Sequence, residues 1–344
     1  MLKNRATLAV LGSLTMLALA ANEAAGQQAA ASIIPDPAWD CGIPAGIPYP
    51  ENGSLVFEIE VPLDLAVDIG RTQYGDRHVA VGLEGSVAGP GLSAVVKEGT
   101  LDFALTLSNG TLEIEQILVL EATDGSYILV RNAGVGVDAN DVRVVMDFEA
   151  PNDSEHAWLN SGTYVARRKL DASAMTMALQ VYDVSNVAVT NSGAIQIAKP
   201  AGVPSQLWDY RARAATEQEG EILIRENVTL APSQSVGASK RGPRNIIPIT
   251  GGELSGRING KVLMGGADYQ DLSPPATIDA RYLWQADDGE IIIVRNGGSF
   301  GSLAPTFEAR VDGPYAYLND GLYLSSNPAM GQGGVAITFF ESTK

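Results

Sequence analysis

The chain has one cysteine, Cys41, and only two histidines, His78 and His156, among its 344 residues. No disulfide can form within the chain, so its stability must come from packing. Two histidines are too few for a histidine-rich metal site, and both are expected in loops or at the surface. We also find no phosphate-binding loop or dinucleotide-binding fingerprint. The sequence therefore predicts neither a bound metal nor a cofactor.

Positive charge is also scarce. Lys and Arg number 23 against 40 Asp and Glu, which gives a formal net charge of −17. A surface this acidic repels the phosphates of nucleic acids and anionic lipid headgroups, so nucleic acid is excluded as a partner. The charge identifies no positively charged partner, because it equally serves solubility.

One apolar run, residues 6–21, follows the basic residues Lys3 and Arg5 at the start of the chain. It is shorter than the roughly 20 residues of a membrane-spanning helix. Ala18-Leu19-Ala20 within it and Ala24-Ala25-Gly26 after it offer small residues at the spacing of a cleavage site. We interpret residues 1–20 as a signal peptide, with cleavage there or as late as residue 26. A secreted protein without membrane attachment after cleavage is expected.

Four Asn-x-Ser/Thr triplets agree with passage through a glycosylating, oxidising compartment. They begin at Asn52, Asn109, Asn152 and Asn227. Cys41 lies in a Pro- and Gly-rich stretch, where it is either an incidental free thiol or one half of an intermolecular disulfide.

An internal repeat organises the rest of the chain. The segment Glu121–Gly134 recurs at Gln285–Gly298 with an offset of 164 residues, as between Asp124 and Asp288. Glycines and an arginine upstream recur at an offset of 167, and Phe148-Glu149-Ala150 recurs at 159 as Phe307-Glu308-Ala309. Because the offset changes only between blocks, insertions fall in loops. The predicted organisation is a Pro-rich lead-in at 27–53, a first domain at 54–186, a linker at 187–206 and a second domain at 207–344.

Both repeats have the period-two alternation of β-strands. Leu101, Phe103 and Leu105 alternate with smaller or polar residues, and the pattern predicts that these large apolar side chains point into the domain core. Asn109-Gly110, Asp124-Gly125 and Asp288-Gly289 separate such runs and predict tight hairpin turns. Short strands, regular turns and 37 glycines indicate closed sheets, since closure removes edge strands. The predicted fold is all-β, with two tandem calycin-like β-barrels.

The second repeat resembles the family called "domain of unknown function 3237". The resemblance is carried by Ile249-Thr250-Gly251-Gly252-Glu253-Leu254-Ser255-Gly256, by Met264-Gly265-Gly266-Ala267-Asp268-Tyr269, by Asp279-Ala280-Arg281-Tyr282, by Asp288-Gly289 and by Tyr317-Leu318-Asn319. It spans most of residues 220–342 and implies a β-barrel without an assigned activity. The first repeat, residues 54–185, resembles the family more faintly. Ile117 stands at the position of Arg281, and at the position of Asp268 the segment Thr100-Leu101-Asp102 departs from the family pattern by a register slip.

Polar residues of the second repeat form the candidate site. Asp268 and Glu308 are the candidate acid/base residues, and the candidate ligand-binding residues are Arg281, Arg295, Tyr317 and Asn319. A guanidinium beside a carboxylate could transfer protons or hold an anionic group. The alternative is that Arg295 and Asn296 serve the turn and that the carboxylates bridge strands at the surface.

Three functions remain open at this point. The first is a secreted barrel that binds a small, partly apolar molecule, anionic if an arginine holds it, in the second domain. The second is a cofactor-independent isomerase, cyclase or lyase that uses a carboxylate–arginine pair. The third is a structural cell-surface module without a ligand. The sequence does not determine the ligand, any reaction or the oligomeric state.

Overall fold

The structure is a computed structural model that describes residues 42–43, 48–136, 142–187, 195–196, 210–331 and 333–343. The predicted signal peptide, Cys41 and most of the predicted linker lie outside these residues. Within them, the regular structure is almost entirely β-strand, as the sequence predicts. No helix in this part of the chain has the length and apolar character needed to cross a bilayer. The short strands β1 (Gly42–Ile43) and β12 (Ile195–Gln196) pair only with each other.

The first barrel is a closed antiparallel sheet. Its strands are β2 (Ser54–Arg71), β3 (Asp76–Gly82), β4 (Gly85–Ala88), β5 (Ala94–Val96), β6 (Leu101–Thr106), β7 (Leu112–Ala122), β8 (Tyr127–Gly136), β9 (Val142–Glu149), β10 (Tyr164–Asp171) and β11 (Thr176–Asp183). Ladders join β2, β3, β6, β7, β8, β9, β10 and β11 in that order, and β11 pairs with β2. A 3₁₀ turn, Pro50–Asn52, precedes β2, and another, Ala157–Asn160, lies between β9 and β10.

The second barrel repeats this topology with shorter strands at one side. Its strands are β13 (Gln218–Leu230), β14 (Gln234–Ser239), β15 (Gly242–Gly256), β16 (Gly260–Val262), β17 (Ala267–Asp271), β18 (Thr277–Ala286), β19 (Ile291–Ser299), β20 (Thr306–Glu308), β21 (Tyr323–Ser325), β22 (Ala329–Met330) and β23 (Val335–Thr343). A 3₁₀ turn spans Ala316–Asn319. The long strand β15 corresponds to β3 and β4 of the first barrel.

The predicted hairpin turns are present. Gly110, Gly125 and Gly289 have φ angles of +85°, +84° and +92°, in the left-handed region that favours glycine. Asn109 and Asp124 each accept a hydrogen bond from a backbone N–H two residues further on, which fixes the turns. These glycines therefore serve backbone conformation.

The prediction for Leu101 and Phe103 was wrong about direction. Both are buried, but they lie outside their own barrel and pack against Leu283 and Ile293 of the second barrel. Ala104, the alternate residue, faces the core of the first barrel. The alternation was read correctly, but its apolar face is covered by the other domain instead of the barrel core.

Two apolar clusters join the barrels, and they are reciprocal. One combines Ile69, Val79, Val81, Leu101 and Phe103 with Leu283 and Ile293; the other combines Val236, Ile246, Ala267 and Tyr269 with Ile117, Val119 and Leu129. Val79 and Ile246 occupy equivalent repeat positions, and so do Val119 and Leu283. The same face of each barrel therefore meets its counterpart, as in a two-fold symmetric dimer.

Candidate functional site

Glu226 lies on β13 with its side chain inside the second barrel. Alternation along the strand places Ile224, Glu226 and Val228 on the inward face, and only 3% of Glu226 is exposed. Its carboxyl group accepts hydrogen bonds from the hydroxyl of Tyr282 at 2.6 Å and the indole N–H of Trp284 at 2.8 Å. Two neutral donors thus hold a carboxyl group among apolar side chains.

Asp268 is a second inward carboxyl group, on β17. The side-chain amide of Gln270 donates to it at 2.7 Å and the backbone N–H of Asp279 at 3.1 Å. Asp268 is surrounded by protein, yet part of its surface remains accessible. The charges of Glu226 and Asp268 both bear on Tyr282, whose pKa is raised by burial and then by these carboxyl groups. The two acids therefore share one interior.

Both carboxyl groups change protonation near neutral pH. Burial raises the pKa of Glu226 to about 7, although the hydrogen bonds from Tyr282 and Trp284 oppose the shift. Burial likewise raises the pKa of Asp268 to about 7, against the bonds from Gln270 and the backbone. Buried acids with such pKa values are concentrated at binding and catalytic sites, although structural networks also contain them.

The ladder registers identify equivalent positions in the first barrel. Ala80 pairs with Asp102 as Ile247 pairs with Asp268, and Ala80 and Ile247 are separated by the repeat offset of 167. Asp102 is therefore the counterpart of Asp268. The slip at Thr100-Leu101-Asp102 is a change of offset from 167 to 166 on this strand, and it leaves Asp102 paired in the same way as Asp268.

In the first barrel this aspartate is neutralised. The guanidinium of Arg168 donates to both oxygens of Asp102 at 2.8 and 2.5 Å, and the Gln116 amide donates at 2.6 Å. Gln116 also accepts a hydrogen bond from Asn132 and contacts the sulfur of Met177. All five side chains are buried. An ion pair and three large side chains thus fill this layer of the first barrel.

The second barrel lacks these filling side chains. Ladder registers place Ala280 where the first barrel has Gln116, and Val335 where it has Met177. β10, which carries Arg168, has eight residues, whereas its counterpart β21 has three and ends before that position. The carboxyl group of Asp268 consequently has no guanidinium beside it on that strand.

Side chains at this layer are also more exposed to solvent in the second barrel than in the first. Asp268 and Val335 are partly exposed, whereas their counterparts Asp102 and Met177 are only 2% and 1% exposed. Since both pairs line the interiors of their barrels, solvent reaches this layer of the second barrel and is excluded from the first.

The wall of the second barrel is also weaker at this layer. β9 and β10 of the first barrel pair at five positions, but in the described residues only the bridge between Leu303 and Ser325 joins the corresponding segments. Asn296 donates to the Ser325 hydroxyl at 2.9 Å. The Oδ1 atom of Asn296 is buried and has no hydrogen-bond partner among the described residues. An acceptor atom is thus available where the sheet is least continuous.

Arg281 and Arg295 lie on the opposite face of the sheet, between the barrels. Arg281 binds Asp279 at 3.0 Å and also Glu115 of the first barrel; Arg295 binds Glu115 at 2.8 Å. Burial alone would raise the pKa of Glu115, but Arg281, Arg295 and Arg131 hold it at about 2. Both predicted ligand-binding arginines are therefore parts of an ion-pair cluster joining the domains. The structure does not bring either into the interior that contains Asp268.

Glu308 also lies between the barrels. It accepts hydrogen bonds from Arg77 at 2.8 Å and from Thr72 at 2.6 Å. The reciprocal contacts exist in the other direction: Glu149 accepts from Arg244 at 2.7 Å and from Ser239 at 2.6 Å. The recurrence of Phe-Glu-Ala in the two repeats thus reflects a pair of interdomain clamps.

Tyr317 and Asn319 both lie in the 3₁₀ turn Ala316–Asn319. Tyr317 is 42% exposed. Asn319 binds the backbone N–H and C=O of Ala309 at 2.8 and 2.9 Å, and Asn160 binds Ala150 in the same way. The shared Leu-Asn motif therefore fastens this turn to the preceding strand.

Glu226 is the residue that the sequence analysis missed. Its signal is visible in the repeat comparison: a glutamate interrupts the apolar face of β13, where the first repeat has Ile59 at the offset of 167. Gly297-Gly298-Ser299-Phe300-Gly301 also matches the spacing of a nucleophile elbow. It ends β19 and no helix follows, unlike the strand–turn–helix of an elbow.

Fold and site together define a protein of two joined β-barrels, of which the second has an acidic, partly open interior. The chain belongs to the family described as "Protein of unknown function (DUF3237)", whose model matches residues 52–139 and 219–302. One match falls mainly in each barrel.

Known proteins are similar in sequence to part of the chain. A UPF0311 protein of Bradyrhizobium diazoefficiens is 46% identical over 66 residues, which are 19% of this chain and 43% of the relative. The match thus spans less than half of that relative's length. Two solved structures are similar: a protein with unknown function from Clostridium acetobutylicum (21% identity, TM-score 0.34, 38% of this chain and 96% of that chain) and a beta-barrel like protein from Acinetobacter baumannii (19%, 0.33, 38% and 94%).

Proposed function

We propose that the protein binds a small, partly apolar molecule inside the second barrel, whose interior contains Glu226, Asp268 and Asn296. One observation carries the proposal. The interior of the second barrel has two carboxyl groups beside neutral partners, where the first barrel has Ile59 and an aspartate paired with Arg168. A buried acid without a cation destabilises a fold relative to a hydrocarbon side chain. Contact with a ligand accounts for this arrangement.

The interior favours a partly apolar ligand with hydrogen-bonding oxygen atoms. Apolar side chains pack around the two carboxyl groups, and Trp284 packs against Phe307 and Phe339 with ring centroids 5.0 and 5.4 Å apart. Protonated carboxyl groups can donate to a carbonyl or hydroxyl oxygen. An anionic ligand is disfavoured, because Arg281 and Arg295 are engaged outside the barrel with Glu115.

Acid/base catalysis is the second candidate function, favoured by the pKa of about 7 at Glu226 and Asp268. A general acid or base is most effective when its pKa lies near the working pH. The isomerase, cyclase or lyase reading therefore rests on a pair of carboxyl groups beside Tyr282, in place of a carboxylate–arginine pair. Conversion of the bound molecule to a product of equal mass would distinguish an isomerase or cyclase from a binding protein.

Two measurements test the binding proposal. Native mass spectrometry of the full chain is expected to show a copurified small molecule, and the neutral dye N-phenyl-1-naphthylamine is expected to bind saturably with increased fluorescence. The variant Ala280→Gln/Val335→Met restores two large side chains of the first barrel and is expected to weaken dye binding at least tenfold. Gln116→Ala in the first barrel is the matched control and should leave dye binding unchanged. Equal dye binding by the filled variant and the original chain would contradict the proposal.

We further propose that the chain is exported and glycosylated at Asn52 and Asn109, whose side chains are exposed. Asn152 is a poorer acceptor because its side-chain nitrogen donates to the backbone of Ser239 at 2.8 Å. Asn227 is only partly exposed. Expression in a glycosylating host should give a glycosidase-sensitive mass that Asn109→Gln reduces and Asn152→Gln does not. No glycosidase-sensitive mass would contradict this proposal.

A further inference from the structure

Asp124, Glu155 and His156 bring three potential metal ligands together at the surface of the first barrel. Asp124 lies in the turn between β7 and β8, and the other two directly precede the 3₁₀ turn Ala157–Asn160. One ligand atom from each side chain lies within 4.8 Å of the other two. Two sequence-distant loops thus converge on a carboxylate, a second carboxylate and an imidazole.

His156 is the buried member of this group. It is 7% exposed, and its Nε2 atom is buried without a hydrogen-bond partner among the described residues. This atom lies 3.3 Å from Oδ1 of Asp124 and 3.8 Å from Oε1 of Glu155. A charge-assisted hydrogen bond would be about 2.7–2.9 Å long. Ligand atoms around a tetrahedral zinc ion, with bonds of about 2.0–2.2 Å, are roughly 3.3–3.5 Å apart.

In the second repeat, different side chains occupy the positions of Glu155 and His156. Tyr315, the counterpart of His156 at the offset of 159, donates its hydroxyl to Asp288 at 3.0 Å. Asp288 is the counterpart of Asp124, and Pro314 is the counterpart of Glu155. A direct hydrogen bond therefore ties turn to loop in the second barrel. In the first barrel His156 and Glu155 replace that tyrosine and proline.

We propose that Asp124, Glu155 and His156 bind one divalent transition-metal ion, with zinc the best fit. An imidazole with two carboxylates suits zinc, and a water molecule would complete four-coordination. Mg²⁺ and Ca²⁺ prefer ligand sets made of oxygen atoms. The bound ion would fasten the β7–β8 turn to the loop before Ala157–Asn160. This site is in the first barrel and does not depend on the ligand proposed for the second.

Isothermal titration calorimetry of the full chain, purified without a histidine tag, tests the site with ZnCl₂ as probe. One zinc ion per chain is expected to bind, and CaCl₂ and MgCl₂ are not expected to compete. His156→Tyr is the decisive variant, because it introduces the hydrogen-bonding residue of the second repeat. It is expected to weaken zinc binding at least tenfold while keeping the melting temperature of the metal-free protein.

Glu155→Gln is the second variant, and it alters only an exposed side chain. It is expected to weaken zinc binding even if the tyrosine variant folds poorly. Zinc should also raise the melting temperature of the original chain more than that of either variant. Zinc binding of equal strength in the original chain and in Glu155→Gln, or no saturable binding by the original chain, would overturn the proposal.

Discussion

At the scale of single residues, the position of a carboxyl group decides its chemistry. Glu115 is buried among three arginines, and its pKa is held at about 2. Glu226 is equally buried beside a phenol and an indole, and its pKa is raised to about 7. Burial raises the pKa of both groups, and only the guanidinium groups around Glu115 reverse its effect. One acid therefore joins the two barrels, whereas the other lies inside the barrel that we propose binds a ligand.

Replacing Glu226 by Gln should remove a pH dependence of stability. The folded-state pKa of Glu226 is raised to about 7, above its ordinary value of about 4.3. The folded state therefore binds the proton more tightly, and the stability of the original chain should fall as pH rises from about 4.5 to 7. Relative to Glu226→Gln the loss should be on the order of 3 kcal/mol. Urea unfolding of both proteins from pH 4.5 to 8 measures it, and parallel curves would refute the assignment.

Replacing Glu115 by Gln should destabilise the protein by about 3–5 kcal/mol at pH 7, because Arg281 and Arg295 lose a shared buried carboxylate. The pKa of Glu115 is lowered to about 2, so its contribution should be complete above pH 4.5 and decline as pH falls towards 2. The control is Glu341→Gln, which breaks an exposed pair with Arg257 and should cost less than about 1 kcal/mol. Similar losses in the two variants would contradict this ranking.

At the scale of elements, the two barrels differ mainly in the lengths of a few strands. β9 and β10 have eight residues each, whereas β20 and β21 have three. Shortening these strands removes both a ladder and the position that Arg168 occupies in the first barrel. The opening of the second barrel is therefore a property of strand length together with smaller side chains at Ala280 and Val335.

Hairpin turns limit stability at this scale. Gly125→Ala and Gly289→Ala should each destabilise the fold by about 1 kcal/mol or more, since both glycines have positive φ. A Cβ atom at either position would contact nothing within 4 Å, so the cost is conformational. Asn tolerates left-handed φ better than Ala, so Gly125→Asn should lose less. Melting temperatures of the three variants test the order, and no loss in the alanine variants would refute the turn assignment.

At the scale of the whole molecule, the chain has the form of a dimer joined covalently. Two reciprocal ion pairs, Arg77 with Glu308 and Arg244 with Glu149, join the barrels in addition to the two apolar clusters. The two barrels differ at the centre of their contact, where Arg281 of the second barrel occupies the position that Ile117 has in the first. Its partner Glu115 belongs to the other barrel, so this ion pair distinguishes one domain from the other.

Cutting the linker should leave the two barrels together. A protease site inserted within residues 197–206 and cleaved after folding should give two fragments that coelute in size-exclusion chromatography. The double variant Glu149→Gln/Glu308→Gln removes both reciprocal ion pairs. Its cleaved fragments should separate at a protein concentration at which the original fragments still coelute. Separation of the original fragments on cleavage would show that the linker, and not the interface, holds the barrels.

The sequence determined the strands, the glycine turns and the repeat, because alternation and positive φ are local requirements visible within a few residues. It also placed Asp268 among the candidate acid/base residues, which stays a prediction. It could not determine which face of β6 or β18 would point to a barrel core. Both faces of these strands are buried, one by the barrel interior and one by the other domain, so a buried charge lies on the inner face of β6, as Asp102, and on the outer face of β18, as Arg281. Only the tertiary structure assigned Arg281, Arg295 and Glu308 to the contact between domains. It also gave the second interior to Glu226 and Asp268, since pairing partners distant in sequence decide which charges meet.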